Sequence, residues 1–228
     1  MTLTCKGILF DMDGTLIQSN EASELIWQTW SAPRNIDMAK IRAVHHGRRP
    51  EETIALVAPH LDAAQEAKMI YDDQDVAIEG IHPLAGANAF VERLPLESYG
   101  IVTAASQSIL EHRFKLVGLR VPEVCVTAGI LKKGKPDPEG YLLGAKKLGL
   151  DPRDCIVFED APAGLLAAKN AGMRSVAIST HYTQAELQYE LGQDYEPVLV
   201  VRDYKRFTID LETYARDHRL NILIDLEV

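Results

Sequence analysis

The chain has 228 residues, 46% of them hydrophobic and 25% charged, a composition that excludes a disordered or fibrous protein and fits a folded globular one. Its net charge is -9. An acidic surface of this kind repels a phosphate backbone and argues against a nucleic-acid partner, although local positive charge and a metal can still hold a small phosphorylated molecule.

In chain order, residues 7–10 read as a short buried strand, and the strand stops at the stretch "DMDGTL", which places Asp11 and Asp13 one residue apart. Residues 19–77 then change character. Their apolar residues recur three and four apart with no convincing strand among them, so a block of helices is expected. Pro50 followed by Glu51 and Glu52 is a good helix start, because proline fits the first helical position and the acids complement the helix dipole. Beyond "HPLAGA", short Val- and Ile-rich runs at 99–103, 123–127, 155–158, 175–179 and 197–201 read as strands. Helical stretches at 106–117, 138–148 and 161–171 separate them, the second with Asp137 at its N-cap. The tail, "RFTIDLE" and "LNILIDL" around the polar "TYARDH", reads as an antiparallel β-hairpin.

This order predicts an α/β fold: a Rossmann-like parallel sheet with helices on both faces, a helical cap inserted after the first strand, and a C-terminal β-hairpin. The expected division is a catalytic core of residues 1–16 and 82–228 and a cap of 17–81, with His82 marking the second hinge. Cys5, Cys125 and Cys155 are far apart and form no Cys-x-x-Cys pair, so buried reduced thiols are expected. No stretch is apolar enough to span a membrane, and Asp11 comes too early for a signal peptide, so a cytoplasmic chain without a membrane partner is expected.

Parallel sheets of this kind bind ligands at the C-terminal ends of their strands. There the sequence places Asp11 and Asp13, Thr103, Lys135 in the loop after the 123–127 strand, and Glu159 with Asp160. Asp11, Asp13 and Asp160 offer hard oxygen donors suited to Mg2+. Lys135 can neutralise a phosphate, and Thr103 can donate a hydroxyl hydrogen bond. Together these describe a phosphoryl-transfer site. Asp11, held rigidly at a strand end, can attack phosphorus, and Asp13 can carry the proton that a basic leaving group needs. Gly14 allows the sharp turn that follows, with Thr15 a small polar contact beside it.

"DMDGTL", "IVTAAS", "KKGKPDPEGY" and "VFEDAPAG" resemble, in order and spacing, the four signature motifs of the haloacid dehalogenase superfamily, in its phosphoglucomutase-like branch with a helical cap. The dehalogenases lack the second aspartate, so Asp13 points to a phosphatase or phosphomutase. "HGRRPEETI", "VTAGILKKGKPDPEGYLLG" and "VFEDAPAGLLAAKNAGM" narrow the resemblance to the glycerol-3-phosphate and 2-deoxyglucose-6-phosphate phosphatase group. The resemblance implies Asp11 as nucleophile, Asp13 as acid/base, and Thr103 and Lys135 as phosphate binders. Asp11, the Asp13 carbonyl and Asp160 would hold Mg2+, with Glu159 a second or water-mediated partner. Two departures stand out: Gln18 where the family commonly has aspartate, and Ala104–Ala105 where it has Ser or Asn and then Gly. The Ala104 N–H can still reach a phosphate, but a side-chain donor is lost.

In the expected cap, His45, His46, Arg48 and Arg49 form a basic cluster, either a solvated helix end or a set facing the substrate; His46 and Arg48 fit the second reading best. Trp27 and Trp30 are expected to pack the cap, with a place in the pocket wall as the alternative for either. The sequence therefore predicts a Mg2+-dependent phosphatase for a small phosphorylated metabolite, a sugar or polyol phosphate, working as a monomer or weak homo-oligomer. A phosphomutase of the beta-phosphoglucomutase type is the alternative within enzymes, and a non-catalytic sugar-phosphate-binding module the alternative outside them.

Overall fold

The computed structural model describes residues 1–192 and 197–225. The elements in chain order are β1 (Thr2–Cys5), β2 (Gly7–Phe10) and β3 (Ile17–Gln18), then α1 (Asn20–Ser31), α2 (Met38–Arg42), α3 (Pro50–Val57) and α4 (Ala63–Val76). β4 (His82–Pro83), α5 (Ala87–Glu92), β5 (Tyr99–Val102), α6 (Gln107–Val117), β6 (Val124–Val126) and α7 (Glu139–Leu148) follow. The chain continues through β7 (Cys155–Glu159), α8 (Pro162–Asn170), β8 (Arg174–Ile178), α9 (Gln184–Leu191), β9 (Leu199–Val201), β10 (Phe207–Asp210), α10 (Leu211–Asp217) and β11 (Leu220–Ile224).

Six strands form one parallel sheet in the order β6-β5-β2-β7-β8-β9. The chain runs outward from β2 through β5 to β6, then returns to β7 on the other side and runs outward again. The reversal falls between β2 and β7, which is where α/β sheets open a crevice at their strand C-termini. All of β2, β5 and β7 is buried, as expected of strands covered on both faces. Under β2 and β7 the aromatic rings of Phe10, Phe90, Phe158, Tyr204 and Phe207 pack together, with Phe10 and Phe158 centred 5.1 Å apart. This anchors the two strands that carry Asp11 and Glu159. A separate cluster of Ile26, Trp27, Trp30, Ile41, Ile54 and Ile70 holds α1 to α4 together. Both tryptophans pack in this helical cluster, Trp27 also lines the site cavity, and Trp30 donates its indole N–H to Glu66 at 2.8 Å.

Several local expectations change. β1 was not anticipated: four residues pair antiparallel with β11, which pairs with β10, giving a three-stranded sheet. The C-terminal strands do run antiparallel, but "TYARDH" joins them as part of α10 rather than as a hairpin loop, because Asp210 caps that helix through the N–H groups of Glu212 and Thr213. Leu226, in the second of those runs, lies outside the described residues. α9 was also unanticipated, although Thr183 and Glu186 form a capping box at its start. The N-cap position of α7 is Pro138, one residue later than expected, yet the Asp137 carboxylate still accepts the Glu139 N–H at 3.0 Å. Cys5 and Cys155 are buried and all three cysteines are free thiols. Among the described residues no helix is long and apolar enough to cross a membrane.

Candidate active site

Asp11 immediately follows β2, and its N–H still bonds the Phe158 carbonyl of β7 at 3.0 Å. The sheet thus fixes the backbone of the residue that the sequence reading made the nucleophile. Its side chain is buried and ion-paired with the Lys135 ammonium. Burial pushes the Asp11 carboxyl well above the ordinary range, Lys135 opposes that, and the charges of Glu159 and Asp160 add to it. Burial alone would pull Lys135 down, but Asp11 and Glu159 outweigh it and hold the ammonium above the usual lysine range.

Glu159, at the end of β7, is fully buried and bonded at both oxygens. Oε1 accepts from Lys135 Nζ at 2.5 Å and the Tyr141 hydroxyl at 3.0 Å, while Oε2 accepts the N–H groups of Asp160 and Ala161 at 2.9 Å each. The geometry makes Glu159 a bracket that aims Lys135 at Asp11. Gly164 packs so closely that a Cβ there would lie 1.7 Å from Glu159 Oε1. Asp160 is held separately: Thr15 donates its hydroxyl to Oδ1 at 2.9 Å, and His181 Nδ1 lies 2.7 Å from Oδ2. Gly14 turns the chain past Asp160 with φ of 80°, and a Cβ there would lie 2.3 Å from Asp160 Oδ2. Both the backbone and the space demand glycine.

Ligand oxygens from Asp11, Glu159 and Asp160 fall within 4.8 Å of one another, all buried. Three carboxylates against one lysine leave excess negative charge out of water, which is costly unless a cation joins them. The donor set, all hard oxygen, fits Mg2+. Because Glu159 already has four donors, Asp11 and Asp160 are the carboxylates with capacity to spare.

Thr103 is buried at the end of β5, and its Oγ1 accepts the Ala105 N–H at 3.1 Å. Accepting there leaves the hydroxyl proton available for another acceptor. Asp13 is half-buried; its Oδ1 accepts from Ser19 Oγ at 2.6 Å and pairs with the Arg113 guanidinium. Asp11, Asp13, Thr103, Ala104 and Asp160 all line one cavity, together with His46 and Arg48 from the segment between α2 and α3.

The four cap residues divide. Arg49 turns away to the core loop, donating to the Leu131 and Lys132 carbonyls at 3.2 and 3.3 Å, while its partner Glu52 accepts the Gly134 N–H at 2.8 Å. Arg48 approaches the Lys135 carbonyl at 3.5 Å. His45 is buried, and burial lowers it to about 4; His46 is lowered to about 2 by burial, with His45 and His181 adding to it. His46 is therefore a neutral wall of the cavity, its ring centred 4.0 Å from that of His181. Gln18 pairs with His82 in the β3–β4 ribbon where the chain enters and leaves the helical block.

Sequence reasoning assigned no role to Arg113, Ser19, His181 or Tyr141. His181 follows β8, so the strand-end rule that found Thr103 applied to it also. Arg113 had a fainter signal: it falls on the buried stripe of α6 with Ile109 and Val117, four residues apart.

A parallel sheet with a buried aspartate, a lysine and an acidic pair at its C-terminal edge defines an α/β enzyme built to work on a phosphoryl-like anion. Within that class, the chain belongs to the haloacid dehalogenase-like hydrolases, whose family model matches residues 5–172. It is 38% identical over 182 residues to hexitol phosphatase A of Escherichia coli, covering 78% of this chain and 84% of that one. Glycerol-1-phosphate phosphohydrolase 2 of Saccharomyces cerevisiae is 32% identical over 244 residues, covering 96% of each. Among solved structures, a hydrolase from Pseudomonas syringae superposes with a TM-score of 0.74 at 25% identity, covering 87% of this chain and 94% of its own.

Proposed function

We propose that this phosphoric monoester hydrolase is a Mg2+-dependent phosphatase that releases phosphate from a small sugar or polyol phosphate through an aspartyl phosphate on Asp11. The observation that carries the reading is the buried Asp11–Lys135–Glu159 set beside Asp13. The named phosphatases of hexitols and of glycerol 1-phosphate support the substrate class.

In this scheme Asp11 attacks phosphorus in line and the P–O bond to the leaving alkoxide breaks. Asp13 gives that oxygen a proton, then takes one from the water that attacks the phosphorus of the acyl phosphate and frees Asp11. Lys135 offsets the charge as one anion approaches another, and the Thr103 hydroxyl and Ala104 N–H donate to phosphoryl oxygens. Asp11, the Asp13 carbonyl and Asp160 would hold Mg2+, with Glu159 behind them. The metal would supply further charge neutralisation to the phosphoryl group.

Residues 17–81 act in this reading as a cap hinged at the β3–β4 ribbon. It closes over the site to exclude water, with His46 and Arg48 facing the substrate. A panel of sugar and polyol phosphates, assayed for inorganic phosphate with Mg2+, tests the proposal. Release that disappears in a folded Asp11→Asn variant is the expected result. Isomerised sugar phosphate in place of free phosphate would make the protein a mutase, and binding without turnover across the panel would make it a binding module.

A further inference from the structure

Arg113 takes no part in that scheme, yet its side chain is 3% exposed and reaches the cavity from the core helix α6. One nitrogen of the fork, Nη1, pairs with Asp13. Its Nε is buried and has no hydrogen-bond partner among the described residues. A guanidinium carries five N–H donors, and leaving buried donors unmet is unfavourable. Among the described residues a single carboxylate oxygen is the acceptor. The same cavity is also lined by Asn20 and Ser23 of α1 and Gln74 of α4.

Distance along the reaction coordinate fixes what Arg113 can meet. If Asp13 protonates the bridging ester oxygen, that oxygen sits one hydrogen bond from its carboxylate. Arg113 sits one hydrogen bond from the same carboxylate. The fork is therefore within two such lengths plus the span of the carboxylate, about 8 Å, of the bridging oxygen. In a sugar or polyol phosphate that space belongs to the hydroxyls on the next carbons. We propose that Arg113 is a specificity-determining residue that donates its unused N–H groups to leaving-group hydroxyl oxygens beside the ester, with Asn20, Ser23 and Gln74 completing a neutral polar wall. Asn20, Ser23 and Gln74 carry no charge, and their amide and hydroxyl groups are partners of the kind that meet substrate hydroxyls. The inference rests on the phosphatase reading above.

The test compares matched esters with and without hydroxyls: glycerol 1-phosphate against propyl phosphate, and sorbitol 6-phosphate against hexyl phosphate. Phosphate release with Mg2+ is measured for the wild type, Arg113→Met and Arg113→Lys, each checked for folding by circular dichroism. The wild type should prefer the hydroxylated ester. The kcat/KM ratio within a pair should fall about 10- to 100-fold in Arg113→Met, the range for losing hydrogen bonds from a charged donor. Arg113→Lys, which keeps the charge but not the fork, should recover part of the ratio. An equal loss on both esters of a pair would overturn the proposal and leave Arg113 as a positioning residue for Asp13. No preference in the wild type would overturn it also. If Arg113→Met does not fold, an unchanged ratio in folded Arg113→Lys would overturn it. A wild type that releases phosphate from none of the four esters would instead sink the phosphatase reading itself.

Discussion

The parallel sheet and the α1–α4 helical block present charged groups to the same cavity in different ways. In the core, Lys135 bridges Asp11 and Glu159, Glu159 has four donors, and Asp160 is held by Thr15 and His181. In the segment from α2 to α3, His46 meets its neighbours through tilted ring contacts, and among the described residues His45 Nε2 has no partner and Arg48 has one long contact. The hydrophobic clusters beneath them are separate as well. In the proposed reading, groups that must hold fixed geometry are cross-bonded from several strands, while groups that must part from the substrate are lightly held, so chemistry and recognition would fall on differently restrained parts of one chain.

Lys135→Met should break the core side most severely. Two buried carboxylates, Asp11 and Glu159, would lose their paired ammonium, costing about 3–5 kcal/mol of stability, and phosphate release should fall about a thousandfold or more. Thermal unfolding with and without Mg2+ checks the first effect, since added metal should restore part of the loss. Gly14→Ala should come next. It forces a Cβ into a positive-φ turn and against Asp160, costing about 1–2 kcal/mol from the backbone alone. A weakened Mg2+ dependence, read as a higher metal concentration for half-maximal rate, is the expected sign.

The raised Asp11 carboxyl gives the core a pH signature. The folded protein binds that proton more tightly than the unfolded chain, so the stability it contributes is full below the unfolded value, near 3.8. It is lost as pH rises through the folded value. In EDTA, the Tm of the wild type relative to Asp11→Asn should therefore drop as pH is raised from 4 to 8, and Mg2+ should flatten the slope. A relative Tm that climbs with pH would contradict the burial argument.

On the cap side the expected effects are smaller. Glu52→Ala removes the acceptor of the Gly134 N–H and the partner of Arg49, loosening the cap against the loop that carries Lys135. KM should rise about 3- to 10-fold with kcat less affected, the scale of one or two hydrogen bonds. A loss confined to kcat would mean that the cap shapes the chemistry directly, and would blur the division drawn above.

How far the sequence was legible follows the same division. Strands such as β2 and β7 are continuous apolar runs ending in carboxylates, so both their existence and the edge they point to could be read from local pattern. β1 could not: "TLTC" becomes a strand only because β11, more than 200 residues away, supplies its partners. α10 was hidden because a polar stretch between two strands looks like a loop until its Asp210 cap is noticed. Within the site, Asp11, Asp13, Lys135 and Asp160 were legible from spacing at strand ends. Arg113 was not, because its importance lies in a pairing with Asp13 across 100 residues. Tyr141 is likewise defined by the carboxylate it touches, Glu159, rather than by its own surroundings in sequence, whereas His181 lay within reach of the strand-end rule.

The central claim is that Asp11 becomes covalently phosphorylated. The direct measurement is to quench a turning-over sample in acid, reduce with borohydride, and map the peptides by mass spectrometry. An acyl phosphate on Asp11 would be reduced to an alcohol in the peptide spanning residues 8–16, dependent on substrate and Mg2+. Robust phosphate release with that peptide unmodified, or with the reduced carboxylate at another position, would contradict the account.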